Sequence, residues 1–185
     1  MSGFNEEKTV ARLAEIIMLE YGVSPKEARR IRAAAALHDI GKQKIPKIIL
    51  NKPGKLTEAE FEVVKTHTTL GVEMLGTFQG ELGEMARVTA RYHHERYDGH
   101  GYWGKRTSEL PVYVAATALA DVFVALVCAR PYKHPWPPLE AIDYIQNNAG
   151  TQFDPALAAV FLPLVQSGDR IRALFEGGDL IAGGT

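Results

Sequence analysis

The sequence predicts a single all-α bundle of seven or eight helices. Three observations carry this expectation. Apolar residues recur at the three-four spacing of a helix along most of the chain, capping signals open the segments, and no stretch alternates apolar and polar residues for long enough to build a sheet. The chain has 185 residues, 46% of them hydrophobic, which is material for one core and too little for two ordinary domains. The expected domain covers 1–176, with a flexible glycine-rich tail at 177–185.

Taken in order, Val10, Leu13, Ala14, Ile17 and Tyr21 mark one face of the first helix. Such a face fits a core contact or a dimer seam equally, so the oligomeric state is open at this level. Ser24-Pro25-Lys26-Glu27 reads as a capping box with proline at the first helical position. It opens a helix expected to reach about His38, with Ala28, Ile31, Ala35 and His38 on one side. Thr57-Glu58-Ala59-Glu60 is a second capping box, opening a helix towards His67. Leu82, Met85, Ala86 and Thr89 form a face that ends near His93. The apolar segment 112–129 is a central helix, Pro138 starts another, and Asp154-Pro155 opens the last. Glycine and proline clusters at 51–55, 98–104 and 130–138 fall between these elements.

Composition excludes several classes. The net charge of -1 provides no global basic field for a nucleic acid polymer. A single cysteine, Cys128, rules out an intramolecular disulfide and a cysteine-rich zinc scaffold. The first residues lack the apolar stretch of a signal peptide. The one membrane-length candidate, 112–129, carries Asp121 near its centre, where a bilayer penalises a carboxylate by roughly 2.5–3.5 kcal/mol. A cytoplasmic protein that does not enter membranes is the expectation. Locally, charge is uneven: 26–55 holds nine basic and two acidic residues, a patch suited to an anionic ligand such as a phosphate ester.

The chemistry rests on histidines and acids. His38, His67 and His93 each fall at or near the end of an expected helix, His94 follows His93, and Asp39 and Glu95 follow His38 and His94. Asp121 lies inside an apolar helix, where a carboxylate is costly unless paired or coordinated. No cation is near it in sequence, so its partner is tertiary. Adjacent helical residues point about 100° apart, so the His38-Asp39 and His93-His94 pairs suit a two-metal cluster better than a single ion. A mixed set of nitrogen and oxygen donors, too many for one tetrahedral zinc, suits iron or manganese ahead of zinc, cobalt or nickel. Two such ions activate a water and clamp a phosphate for in-line displacement. Lys42, four residues past His38, is placed to neutralise a phosphate oxygen.

Read as strings, these residues resemble the HD-GYP family, a branch of the HD phosphohydrolases. The strings are 35–42 with His38-Asp39-Ile40-Gly41-Lys42, Ile45-Pro46, 52–57, His67 followed by Gly71, His93-His94-Glu95 through Asp98-Gly99-His100-Gly101-Tyr102, Leu110-Pro111, Ala120-Asp121, Arg130-Pro131-Tyr132-Lys133, and 150–155. In order they cover roughly 5–161. The resemblance implies a helical bundle of the HD type with the extra C-terminal helices of HD-GYP domains. It implies a phosphodiesterase that hydrolyses the second messenger cyclic di-GMP to linear pGpG, GMP or both. Its metal ligands would fall on His38, Asp39, His67, His93, His94 and Asp121, with Asp39 and Lys42 in catalytic roles. Its ligand contacts would fall on Gly101, Tyr102, Arg130 and Lys133.

The chain departs from the family's pattern at several points. Glu6 stands where the family has a histidine about 32 residues before the HD pair, and a glutamate can still ligate a metal. Ser2 replaces the acid that some members use for a third ion, which favours two. The GYP string reads Gly101-Tyr102-Trp103, and the indole offers a stacking surface for guanine. Val124 stands where an acid is common. An alternative to the enzyme is a catalytically weak module that senses a cyclic dinucleotide or docks a partner. The family's usual sensory domain is not found in these residues, which points to regulation by a protein or domain in trans or by another part of a longer parent chain.

Overall fold

Helix α1 (Glu6–Tyr21) opens a computed structural model that describes residues 5–128 and 134–166. The Asn5 side chain caps it by accepting the Lys8 amide at 2.8 Å. Its face of Val10, Leu13, Ala14, Ile17 and Met18 is buried against α2 (Pro25–Ala35), α7 (Val112–Val127) and α9 (Pro155–Gln166), so this amphipathic face is core. Ser24 caps α2 through the Glu27 amide, with Pro25 at the first position. The helix ends earlier than expected, at Ala35. His38 and Asp39 then lie in a turn that leads into a 3-10 segment, Ile40–Lys44.

The short α3 (Lys47–Leu50) precedes the second capping box, in which Thr57 and Glu60 exchange both hydrogen bonds to open α4 (Glu58–Lys65). The chain breaks at Thr66 and restarts as α5 (His67–Met74), so His67 begins a helix instead of ending one. Next come α6 (Gly80–Tyr92), the long α7, α8 (Pro138–Asn147) and α9. The described residues thus hold nine α-helices and no strand. The surplus over seven or eight comes from α3 and from the restart at His67, both too short to show a period of their own.

Two layers meet at α7. One side packs α1, α8 and α9 around Phe123 and Phe161, whose rings stand edge to face at 5.0 Å. On the other side α6 packs on α7, α2 and α5 pack on α6, and the 3-10 segment packs on α5. Gly41 lets that segment lie directly on α5, since a Cβ there would overlap the His67 carbonyl and reach the Gly71 amide at 2.6 Å. This close approach carries the turn holding His38 and Asp39 to the start of α5. Among the described residues no helix is long and apolar enough to cross a membrane. The expected tail at 177–185, and Ser2, lie outside the described residues.

Candidate metal centre

Three buried histidines are anchored in the same way. The Nδ1 of His38 meets the Ala35 carbonyl at 2.7 Å, that of His67 the Val64 carbonyl at 2.6 Å, and that of His93 the Ala90 carbonyl at 3.1 Å. Each carbonyl comes from the last turn of the helix just before the ring, where backbone acceptors lack a helical donor. A carbonyl only accepts, so each Nδ1 carries the proton. That leaves each neutral ring with a lone pair on Nε2, the form that binds a metal.

The three Nε2 atoms converge on Asp39. Its Oδ1 lies 3.3 Å from His67 Nε2 and 3.5 Å from His93 Nε2, and its Oδ2 lies 3.3 Å from His38 Nε2. His67 and His93 face each other at 3.4 Å between Nε2 atoms. Asp121 approaches from α7, with Oδ1 3.8 Å from His38 Nε2. Donor atoms fall into two overlapping groups, each within 4.8 Å: Asp39, His67, His93 and His94 in one, His38, His93 and Asp121 in the other.

The arrangement tests directly for a cation. Asp39 Oδ1 is buried and accepts no hydrogen bond among the described residues. Lone pairs of two imidazoles point at it, and acceptors facing one another in a dry site repel. A cation between them satisfies all three. The electrostatics agree. Burial opposes a proton on His38, but the hydrogen bond and charge of Asp39, with the charge of Asp121, raise it to about 9. The acids recruit positive charge from the nearest ring. Burial, then the neighbouring His93, pushes His67 down to about 4, and burial with His93 and His67 holds His94 well below its ordinary value. Both rings are therefore neutral and available as ligands. Burial would raise the Asp39 carboxyl, but contacts with the His38 and His93 rings and the charges of His38 and Lys42 hold it well below the carboxylate range.

Lys42 reaches Asp39 Oδ2 from the 3-10 segment, so it shares the face of Asp39 by a route other than a continued helix. Burial works against its charge, and Asp39, Asp121 and Glu6 more than restore it. Glu6 thus acts on Lys42 by charge from the first turn of α1, and it belongs to neither donor group. Tyr102 roofs the cluster, its ring 4.5 Å from that of His94. Burial and the charges of Asp121 and Asp39 push its phenol up to about 12, so it stays a hydrogen-bond donor. Gly101 lies on the backbone of His94 and Glu95. Trp103 turns its ring to the Arg91 guanidinium, 3.7 Å from the ring centre. Arg130 and Lys133 lie outside the described residues.

Two neighbours stand outside the set of site residues that the sequence suggests. Phe61 of α4, half-exposed, meets Tyr102 edge to face at 5.7 Å, and no sequence signal marks it apart from other apolar residues. Glu95 is almost fully buried, and its place directly after His93-His94 was the available signal.

The chain is similar to known proteins in sequence and in fold. Residues 2–157 match the family model of the HD domain. Over 147 residues the chain is 42% identical to the cyclic di-GMP phosphodiesterase response regulator RpfG of Xanthomonas campestris, covering 79% of this chain and 39% of that protein. Over 154 residues it is 38% identical to the 3'3'-cGAMP-specific phosphodiesterase 2 of Vibrio cholerae, covering 83% of this chain and 30% of that protein. The chain therefore spans two fifths or less of the length of these relatives. In three dimensions it is similar to Bd1817, an HDG"Y"P protein from Bdellovibrio bacteriovorus, with a TM-score of 0.70 at 16% identity, covering 87% of this chain and 51% of that one.

Proposed function

The chain belongs to the HD domain family, and from that premise we propose that it is a metal-dependent phosphodiesterase that opens cyclic di-GMP to linear pGpG, GMP or both. One observation carries the proposal: the imidazoles of His67 and His93, with Nδ1 tied to backbone, aim Nε2 at an Asp39 oxygen that has no hydrogen-bond donor, while His38, anchored the same way, aims at the other oxygen. His38, Asp39, His67, His93, His94 and Asp121 would hold two divalent ions, iron or manganese by donor chemistry, with Glu6 as a further oxygen donor. When bound, such ions supply charge for the phosphate oxygens and lower the pKa of a water.

The remaining work falls to the chain's own groups. Asp39 presents one oxygen to His67 and His93 and the other to His38 and Lys42, so it orders both halves of the site. The Lys42 ammonium binds a non-bridging phosphate oxygen and offsets charge as it grows in the transition state. Tyr102 donates from above the cluster, and Gly101 lets the loop lie close. Trp103, Arg130 and Lys133 complete the substrate contacts. In the reaction, water oxygen bonds to phosphorus, the bond from phosphorus to the ribose 3' oxygen breaks, and that oxygen leaves with a proton.

The half of the site around His38 and Asp121 favours a second reading. Its donors are His38, Asp121 and a His93 shared with the other group, which suits a module that binds a cyclic dinucleotide and turns it over weakly. One experiment separates the two. The chain is loaded with iron or manganese, incubated with cyclic di-GMP and, separately, 3'3'-cGAMP, and the products resolved. Linear products that require metal support the enzyme and name the nucleotide. Saturable binding without product under both metals overturns it in favour of the sensor. Regulation by a protein or domain in trans and a cytoplasmic location belong to the same proposal.

A further inference from the structure

We infer that Glu95 is a positioning residue, whose carboxylate clamps the 101–105 turn so that Tyr102 stays over His94. Glu95 is only 2% exposed. Its Oε1 accepts the Trp103 amide and its Oε2 the Lys105 amide, each at 2.6 Å. The two amides flank Gly104, whose φ of 72° turns the chain back. Both oxygens of one buried carboxylate are thus spent on a single turn, and short bonds to an ionised acceptor are the strong kind. Beneath them the loop lies directly on the ligand-bearing backbone, since a Cβ on Gly101 would come within 2.5 Å of Glu95 Cα and 2.7 Å of the His94 carbonyl.

Tyr102 is the residue between the Gly101 contact and the first clamped amide. Its contact with His94 is therefore set by Glu95, the next residue along from that histidine. The ends of the loop are tied elsewhere. Asp98 holds Arg96 at 2.8 and 3.0 Å and caps the His100 amide, its own amide goes to the Thr151 carbonyl, and the Thr107 amide returns to the Arg96 carbonyl. Loosening Glu95 frees the turn without releasing the loop. The chemistry also explains a glutamate here. Two N–H groups need two acceptors, and a glutamine of the same shape offers one acceptor and turns an NH2 towards the other amide.

This inference rests on the phosphodiesterase reading only where turnover is measured. In E95Q, bound metal should stay at the wild-type ratio, while kcat/KM for the cyclic dinucleotide falls roughly 10- to 100-fold from a small misplacement. Hydrolysis of bis(4-nitrophenyl) phosphate, which has no base or ribose for the loop to hold, should stay within about twofold. A double-mutant cycle makes the test specific: on a Y102A background, E95Q should cost almost nothing further. Loss of metal in E95Q, or additive losses in the double variant, would overturn the clamp. A second arm needs no variant. The Trp103 and Lys105 amides of the wild-type chain should exchange with solvent far more slowly than the amide of exposed Gly104 between them, and equal rates would overturn the clamp even if E95Q does not fold. Absence of any wild-type turnover defeats the phosphodiesterase reading alone, and the amide exchange then decides the role of Glu95.

Discussion

Two regions of the interior are equally dry and are held together differently. Around Phe123 and Phe161, with Ile17, Leu119 and Leu157, hydrocarbon packs on hydrocarbon, and burying each large side chain contributes about 1.5–3 kcal/mol. Around Asp39, the rings of His38, His67 and His93 are buried just as deeply, but an oxygen among them has no donor. Helix α7 serves both regions. Asp121 and Phe123 are two positions apart, about 200° around the helix, so one faces the donors and the other the apolar core. Depth of burial therefore does not separate structure from function in this chain. What separates them is whether each buried group is satisfied by the protein alone.

That contrast is broken most severely at Asp39. Replacing it by alanine removes the carboxylate whose oxygens face His67 and His93 on one side and His38 on the other. Bound metal, read by elemental analysis, should fall below one ion per chain, and phosphodiester hydrolysis should drop by ~10³-fold or more, the equivalent of several kcal/mol in the transition state. Full metal content in the D39A chain would remove Asp39 from the donor set. Phe161→Ala attacks the opposite region. It leaves a cavity beside Phe123 and should cost about 3–5 kcal/mol in urea unfolding, with metal content per folded chain unchanged. A metal deficit in that variant would mean that the two regions are coupled through α7.

A smaller effect sharpens the same comparison. An ion that binds the native state and not the unfolded chain stabilises it by about 2.7 kcal/mol at a free concentration 100 times its Kd. Returning manganese to chelator-treated protein should raise the unfolding midpoint of wild type and of F161A alike, and should leave D39A unmoved. Equal stabilisation of D39A would place the ion elsewhere.

The apolar region was legible because it is periodic. The faces of α1 and α6, the span of α7 and the starts of α8 and α9 follow from spacing and capping residues. The donor region was legible by residue type, since histidines and acids in an otherwise apolar helical chain stand out. Its geometry was not. The sequence suggests that His38 and His67 end helices, yet His38 lies three residues beyond α2 and His67 begins α5. The deviation has a cause: a ring just past a helix end can give Nδ1–H to a carbonyl of the helix's last turn, and periodicity carries no information about where a ladder of hydrogen bonds stops. Glu95 was visible as an acid beside His94, but its use as an acceptor for Trp103 and Lys105 depends on a loop that returns eight to ten residues later.

The weakest expected effect lies at the one capping box that both the sequence and the structure complete. Glu60 accepts the Thr57 amide at 2.7 Å and also receives Lys52, and these partners lower its carboxyl to about 2 from the ordinary 4.5. The folded state thus holds the charged form more tightly than the unfolded chain does. The sign follows: this contribution is complete above the unfolded pKa, fades as pH falls from about 4.5 towards 2, and is gone below both values. Because the group faces water the effect is small, and E60Q isolates it. The stability gap between wild type and E60Q, from urea unfolding, should be constant between about pH 7 and 5.5 and narrower at about pH 3. A gap of the same size at both ends would show that the cap acts as a neutral hydrogen bond, and that the charge of Lys52 adds nothing to the start of α4.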